Sequence, residues 1–293
     1  MKQRAKIGTF VLLAALSVFS VVFPMSYTVS ASAAETGADE IYYMDESYYV
    51  NDGNIMPMAM VDDDETIAYD SKVVTENETG SSFPCFENGN FSLRNTCAPL
   101  AGTVLLGYYD RWYESLIPGY NTFNTFINRY YGFSSNEYIQ SAFERLYTLT
   151  KTNVGHDGTT EAEFVDGLNE YVEAEGLEIS YNSVLQSGTI NLSLMDTYLD
   201  RGQPVLLLCK TYNIISALVD TGEQVIIHKQ NSNVAHMMVA YGYEHYSYYR
   251  NGVNFRTDTY LKVASGVFGG ELCYSMLNAD MELVKAWAID IYE

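Results

Sequence analysis

The chain has little positive charge, and this shortage limits which partners it can bind. Only 16 lysine and arginine residues stand against 37 aspartate and glutamate residues, so the formal net charge is −21 and the pI is near 4.4. Such a protein lacks the cations that neutralise phosphate, and we expect neither nucleic acid nor an anionic membrane surface as a partner. The favoured interpretation of the acidity is solubility outside the cell.

Cysteine and histidine are also scarce, with four residues of each type. Their spacing matches no zinc pattern, because no CxxC or HxxxH pair occurs, and the sequence implies no metal and no organic cofactor. An exported protein can form disulfides, but the sequence does not define their pairing. Two disulfides would consume all four thiols, whereas one or none leaves Cys97 available for chemistry. The cysteines are Cys85, Cys97, Cys209 and Cys273.

Long apolar runs are confined to the N-terminus. Residues 7–23 are mostly apolar, basic residues precede them, and Ala31-Ser32-Ala33 follows as a small-x-small cleavage site. We therefore predict a signal peptide over residues 1–33 and a secreted, extracellular protein that is not attached to a membrane after cleavage. A retained anchor is the alternative, disfavoured because small residues follow the apolar run so closely. No later segment is apolar for long enough to span a bilayer.

Residues 34–82 are strongly acidic, and Lys72 is the only basic residue among them. Self-repulsion and few aliphatic contacts predict an extended or weakly ordered pro-segment or linker. A solvating linker is the simpler interpretation. The alternative is an inhibitory pro-segment, in which Ile41-Tyr42-Tyr43 and residues 55–58 lie in a cleft. The folded domain is predicted to cover residues 83–293.

The stretch Asn95–Asp110 places Cys97 at the start of a predicted helix. Asn95 or Thr96 suits the N-cap position, and Pro99 suits the first turn, where no intrahelical N–H bond is lost. At this position the thiol lies at the positive end of the helix dipole, which lowers a pKa that starts at about 8.5. Apolar residues at four-residue intervals predict one buried helix face: Leu100, Val104, Tyr108 and Trp112.

Helical patterns come first in the predicted domain and strand patterns follow. Further helices are expected over residues 121–131, residues 136–150, a segment that opens with the capping box Thr160-x-x-Glu163 and stops at Gly176, and residues 193–201. Asn251-Gly252 is a strong hairpin signal. This order predicts an α+β fold with an antiparallel sheet. Strands are expected over residues 205–209, 212–219, 224–228, 235–243, 246–250, 253–263 and 284–292.

The cysteine segment, with Cys97-Ala98-Pro99 at its start and Tyr108-Tyr109-Asp110 at its end, resembles the nucleophile segment of the papain-like cysteine peptidase superfamily. It is most similar to the secreted relatives of the bacteriocin-processing, double-glycine-leader peptidases. Ala98 departs from the glycine that usually follows the nucleophile there. The resemblance covers roughly residues 83–293. It implies a papain-like fold, in which an N-terminal helical part carries the nucleophile and packs on a C-terminal antiparallel sheet.

The resemblance also implies the base. Residues 236–243 read His-Met-Met-Val-Ala-Tyr-Gly-Tyr and look like the histidine strand of that superfamily. His236 follows Cys97 by about 140 residues, inside the interval of about 130–150 residues known from papain-like enzymes. We expect His236 to act first as general base and then as general acid. The other histidines fit surface or turn positions better: His156, His228 and His245.

The third catalytic position departs from the superfamily pattern. A papain-like enzyme carries Asn or Asp at the end of the next strand, often before a glycine. Aligning that glycine with Gly266 places Ser265, or failing that Ala264, at the position that orients His236. A hydroxyl accepts a hydrogen bond from imidazole but carries no charge. A backbone carbonyl is an alternative, and Asp258 is a remote one.

The oxyanion donor is equally undefined. The superfamily's glutamine would fall on Phe91, and the nearest amide side chain is Asn90. The backbone N–H of Cys97 supplies one donor in any case, as acyl-transfer sites generally use. Removing a side-chain donor costs about 10²–10³ in rate, so a site with one weak donor retains activity.

These observations predict a secreted papain-like cysteine peptidase that hydrolyses protein or peptide substrates through Cys97 and His236, with Ser265 and Asn90 in supporting roles. Two alternatives stay open. The same fold can serve as a catalytically weak or inactive binding module. A thiol nucleophile can also transfer amides or cleave cell-wall peptides. The residues define neither the substrate nor the oligomeric state.

Overall fold

In the computed structural model the described residues are 42–43, 48–51, 54–57, 60–78, 83–86, 93–120, 137–267 and 273–293. They all belong to one compact unit, Glu40–Glu293. The predicted signal peptide, the predicted helix over residues 121–131 and Asn90 lie outside the described residues.

The described part of the chain contains four helices: α1 (Cys97–Tyr109), α2 (Glu137–Leu149), α3 (Glu161–Ala174) and α4 (Leu192–Asp200). The last three confirm the predicted helices. The predicted capping box is also confirmed, because the Thr160 hydroxyl accepts from the Glu163 N–H at 3.3 Å and the Glu163 carboxylate accepts from the Thr160 N–H at 2.9 Å. None of these four described helices has the length and apolar character needed to cross a bilayer.

Sixteen strands are described, and every pairing between them is antiparallel. Together with the helices they confirm the α+β class. The strands are β1 (Tyr42–Tyr43), β2 (Tyr48–Asn51), β3 (Asn54–Pro57), β4 (Met60–Asp62), β5 (Glu65–Ala68), β6 (Ser71–Glu78), β7 (Thr159–Thr160), β8 (Glu178–Ser183), β9 (Leu185–Gln186), β10 (Thr189–Ile190), β11 (Val205–Asp220), β12 (Gln224–Ser232), β13 (His236–Arg250), β14 (Val253–Ala264), β15 (Cys273–Met276) and β16 (Glu282–Tyr292).

The main sheet has ten strands, in the order β4-β12-β11-β15-β14-β13-β6, with β16 joining β11 to β8 and β5 beside β12. Three short pairs lie outside it: β1 with β7, β2 with β3, and β9 with β10. The predicted hairpin between β13 and β14 is confirmed. Asn251 and Gly252 have φ values of +51° and +74°, as a type I′ turn requires.

Two of the predicted breaks between strands are wrong, and the strand predicted over residues 224–228 continues to Ser232. Residues 205–209 and 212–219 belong to one strand, β11, and residues 235–243 and 246–250 belong to one strand, β13. In β11 the predicted break coincides with an irregular register against β16, between Leu208 and Thr211. A β-bulge bends a strand without ending it, so one long strand presents a broken alternation that resembles two short ones.

The sheet is buried on both faces around β11. Leu206 and Leu208 pack in a core cluster with helices α1, α2 and α3, whereas Val205 and Leu207 pack in a second cluster with helix α4 on the opposite face. Successive residues of a strand point to opposite faces. The continuous apolar run at the start of β11 is therefore explained by helices that cover both sides of this strand.

Helix α1 is more deeply buried than its sequence predicts. All thirteen of its residues are buried, because the helix lies between β13 on one side and helices α2 and α3 on the other. The prediction of a single buried face is therefore too narrow. Trp112, which that prediction included, lies beyond the end of the helix and is 57% exposed.

The interpretation of residues 34–82 as a weakly ordered linker is wrong for residues 60–78, which form strands β4, β5 and β6 of the main sheet. Several of their acids are paired with cations from distant parts of the chain. Lys229 lies 2.8 Å from an Asp63 carboxylate oxygen, and Arg256 binds Glu65 with both terminal nitrogens. The folded domain therefore begins before residue 83, and a cut at that point would remove three strands.

Candidate active site

Cys97 is the first residue of helix α1. The N-cap residue is Thr96, and its carbonyl accepts the first helical bond from Leu100 N–H at 2.8 Å. Within the described structure the Thr96 side chain forms no capping hydrogen bond. Asn95 turns away to Asn153, as its Nδ2 donates to the Asn153 Oδ1 at 2.7 Å. The predicted N-cap position is therefore confirmed at Thr96, together with the predicted start of the helix, although the cap is made without a side-chain hydrogen bond.

The first turn of helix α1 offers backbone donors that the helix itself does not use, together with positive potential. The N–H groups of Cys97 and Ala98 have no acceptor within the helix, and Pro99 has no N–H to satisfy. The turn contains no acidic residue that would offset the helix dipole. This potential suits a negative charge that develops near the helix start, such as the charge on an oxyanion.

All four cysteines lie in the described part of the chain, and none of them forms a disulfide. The condition that the sequence sets for a nucleophile at Cys97 is therefore met. Cys209 is completely buried in β11, and burial raises the pKa of its thiol, which keeps it protonated. Cys273 donates from its Sγ to the Ser265 hydroxyl at 3.2 Å.

His236 begins strand β13, and its ring is buried. Its Nε2 lies 2.9 Å from the backbone carbonyl oxygen of Ser265. A carbonyl only accepts, so Nε2 carries the proton, and the lone pair of the neutral ring is on Nδ1. Tyr212 of β11 stacks on the imidazole with ring centroids 4.6 Å apart and an angle of 22° between the planes. The sequence gives no signal for Tyr212, because this contact joins two different strands.

Ser265 is at the predicted place but acts through a different atom. The orienting acceptor is its backbone carbonyl, whereas the hydroxyl accepts from the Val267 N–H at 3.2 Å and from Cys273. Asp258 is not the third member. It binds Arg256, and it pairs with Tyr246 ten residues along β13 from His236, a distance of about 30 Å along an extended strand.

The loop that holds His236 is in contact with the helix turn that carries Cys97. Gly266, directly after the carbonyl that holds His236, has a φ of +72°, and a Cβ atom at this position would overlap the Leu100 side chain. Leu100 lies one turn after Cys97 on the same helix. Cys97 also shares a core cluster with Met237, the neighbour of His236. The first turn of α1 therefore packs on the loop that fixes the imidazole.

A short strand lies close to the same turn. β7 pairs with β1 through the registers Tyr42 with Thr160 and Tyr43 with Thr159. The loop that leads into β7 is joined to Asn95 through the Asn153 amide. An extended segment of the chain is thus held by backbone pairing near the start of helix α1.

The other histidines have carboxylate partners of their own. His156 lies 3.1 Å from Glu163, His228 lies 3.0 Å from Asp64 on the surface, and His245 lies 3.0 Å from Asp196. Among the described residues no group of three or more His, Cys, Asp or Glu side chains is arranged to hold a metal ion. Comparison of the chain with protein-family models, curated proteins and solved structures found no match.

Proposed function

We propose that the protein is a secreted cysteine peptidase of the papain-like type, in which Cys97 is the nucleophile and His236 the general base. The observation that supports this most strongly is the bond between His236 Nε2 and the Ser265 carbonyl, which leaves Nδ1 as the basic atom. The loop that makes this bond packs on the first turn of the cysteine helix through Gly266 and Leu100.

The reaction uses a thiolate and an imidazolium. The Cys97 sulfur attacks the peptide carbonyl carbon, and the oxygen takes the negative charge beside the N–H groups at the helix start. The proton on His236 Nδ1 passes to the leaving nitrogen, the C–N bond breaks, and the amine departs from a thioester. Water then attacks the thioester, with Nδ1 accepting its proton. The acid product leaves and the thiolate–imidazolium pair returns.

The Ser265 carbonyl performs part of the work of an Asn or Asp side chain. It fixes the tautomer and the ring plane of His236, and Tyr212 covers one face of that ring. It contributes a dipole and no charge, so it stabilises an imidazolium less than a carboxylate would. We therefore propose a competent but modest catalyst.

The strand β7 supplies a binding mode for the substrate. Extended peptides bind well to an exposed strand edge, because backbone hydrogen bonds hold them whatever their side chains. In this chain the edge pairs with Tyr42–Tyr43, which supports the interpretation of the N-terminal segment as an inhibitory pro-segment. Cleavage between residues 43 and 48 is then expected to raise peptide turnover, since strands β4 to β6 stay in place.

Turnover of a peptide library by the mature chain tests the proposal. We expect cleavage products from the wild type and from Cys209→Ala, whose thiol is buried and protonated, and none from Cys97→Ala. Equal cleavage by wild type and Cys97→Ala would assign the activity to a contaminant. Products joined to an added amine, or cleavage restricted to cell-wall peptides, would favour amide transfer or a cell-wall amidase on the same nucleophile.

A binding module is the second candidate, and the replacement of a carboxylate or amide side chain by a neutral backbone carbonyl beside His236 favours it. A binding function predicts that wild type and Cys97→Ala bind a peptide equally well and that neither cleaves it. Binding measured by fluorescence anisotropy, followed by mass spectrometry of the same samples, separates the two functions.

A further inference from the structure

The side-chain amide of Asn153 makes all four hydrogen bonds that an amide can make. Its Nδ2 donates to the Arg94 carbonyl at 2.8 Å and to the Tyr147 hydroxyl at 2.7 Å. Its Oδ1 accepts from Asn95 Nδ2 at 2.7 Å and from the Gly158 N–H at 2.8 Å. One side chain therefore connects three segments: the turn before helix α1, the loop before strand β7, and helix α2, which carries Tyr147.

The first of these segments is the turn that leads into the cysteine helix. Asn95 has a φ of +59°, in the left-handed region that few residues other than glycine and asparagine adopt readily. It lies two residues before Cys97, and the next residue, Thr96, accepts the first helical hydrogen bond. Asn153 binds the backbone carbonyl of Arg94 and the side chain of Asn95, and so fixes where helix α1 begins.

The second segment is the loop that ends at strand β7. Asn153 itself has a φ of +63°, and its backbone N–H donates to the Gly158 carbonyl at 2.8 Å while its side chain accepts from the Gly158 N–H. The loop is thus closed by two bonds directly before Thr159. The Thr159 hydroxyl is fixed separately, 2.7 Å from the Thr152 hydroxyl. The edge that receives the extended segment is therefore anchored to the same amide as the cysteine turn.

We propose that Asn153 is a positioning residue that holds the Cys97 turn and strand β7 in one fixed arrangement, so that an extended peptide on β7 presents its carbonyl to the sulfur. The part that concerns substrate rests on the proposed peptidase function. The part that concerns the geometry and reactivity of Cys97 does not, because a thiol can be alkylated whether or not the protein cleaves peptides.

Asn153→Gly is the informative substitution, because glycine accepts the positive φ and removes only the amide. Asn251→Gly is the matched control, since Asn251 has a φ of +51° in the hairpin between β13 and β14. The measurement is the rate of Cys97 alkylation by iodoacetamide from pH 5 to 10, mapped by mass spectrometry. We expect Asn153→Gly to slow alkylation at neutral pH about tenfold and to move its midpoint to higher pH, and Asn251→Gly to leave both unchanged.

Peptide kinetics add a second readout. We expect kcat/KM to fall on the order of 10²-fold in Asn153→Gly, through a lower kcat and a higher KM, because a shift of about 1 Å in a reacting atom has an effect of this size. Tyr147→Phe removes one of the four partners of the amide and should give a smaller loss in the same direction. Asn153→Asp keeps the acceptor for Asn95 but places an oxygen against the Arg94 carbonyl. Its loss of kcat/KM should lie between the losses of Tyr147→Phe and Asn153→Gly.

The outcomes separate the two proposals. If the wild type cleaves no peptide but Asn153→Gly still changes the alkylation profile of Cys97, the peptidase proposal fails and the positioning role stands. If Asn153→Gly lowers the melting temperature but keeps the wild-type alkylation profile and kinetics in its folded fraction, Asn153 is a structural residue only and the inference is overturned. The inference also fails if Asn251→Gly changes the alkylation profile as much as Asn153→Gly does.

Discussion

The turn that carries Cys97 and the strand end that carries His236 are held in different ways. On the cysteine side, a single side-chain amide binds the turn from outside the helix. On the histidine side, the backbone carbonyl of Ser265 holds the ring. An amide can be removed by one substitution, whereas every residue has a carbonyl. The first region therefore depends on the identity of one residue, and the second depends on the path of the chain.

Removal of the imidazole should have the largest effect. We expect His236→Ala to lower kcat/KM for peptide cleavage by about 10³-fold or more, since it removes the general base and the proton donor together. His228→Ala is the control, because His228 lies on the surface beside Asp64. Steady-state kinetics of the two variants check the prediction, and equal loss in both would contradict a specific role for His236.

A change in the backbone at Gly266, next to the carbonyl that holds His236, should have the next largest effect on catalysis. Gly266→Ala strains a φ of +72° and overlaps Leu100, so we expect a loss of about 1–3 kcal/mol in the free energy of unfolding and at least tenfold in kcat. Gly252→Ala is matched to it, with a φ of +74° and no atom within 4 Å of the added Cβ. Urea unfolding and kinetics of both variants separate the overlap from the strain. A similar loss of kcat in Gly252→Ala would contradict a local effect on His236.

Asp110 lies at the C-terminal end of helix α1, at the opposite end from Cys97. Burial raises the pKa of Asp110 to about 7 from an ordinary 3.8, against the opposing hydrogen bond from the Ile117 N–H. Between these values the folded state binds more protons than the unfolded state, so this residue makes stability fall as the pH rises.

Asp110→Asn keeps the acceptor for Ile117 and cannot titrate. Relative to wild type, its free energy of unfolding should rise by about 2 kcal/mol between pH 5 and pH 8. Urea unfolding at both pH values checks this, and a difference that is constant with pH would contradict the raised pKa.

The smallest effect on kcat is expected for the Ser265 side chain, because the structure holds His236 through the Ser265 backbone carbonyl. Ser265→Ala removes the hydroxyl contacts with Val267 and Cys273 but keeps the carbonyl on His236. We expect kcat to change less than about threefold, because orientation of the ring is retained. A loss of 10²-fold or more in steady-state kinetics would show that the hydroxyl, and not the carbonyl, supports catalysis.

The parts of the fold that rest on local signals are the ones the sequence predicts well. The capping box at Thr160 and the Asn251-Gly252 hairpin are each encoded within a few neighbouring residues. Strands β4 to β6 are not predicted, because the cations that pair with acids of this segment are distant in the sequence. Arg256 and Lys229 follow their acidic partners by well over a hundred residues.

The candidate site shows the same division. The start of the cysteine helix and the histidine strand are recognisable as continuous segments. The Ser265 carbonyl is not, because every residue has one and only the fold decides which one faces the ring. Asn153 escapes for a related reason, since it meets Arg94 and Asn95 only when helix α2 folds back beside α1.

The proposed chemistry requires the Cys97 sulfur and the His236 imidazole to form one ionising unit. The rate of Cys97 alkylation against pH tests this directly in the wild type and in His236→Ala, with the modified residue mapped by mass spectrometry. We predict that the wild-type thiol reacts with a midpoint well below about 8.5 and that His236→Ala raises this midpoint and slows the reaction at neutral pH. A wild-type midpoint at or above about 8.5 that His236→Ala leaves unchanged would contradict the ion pair.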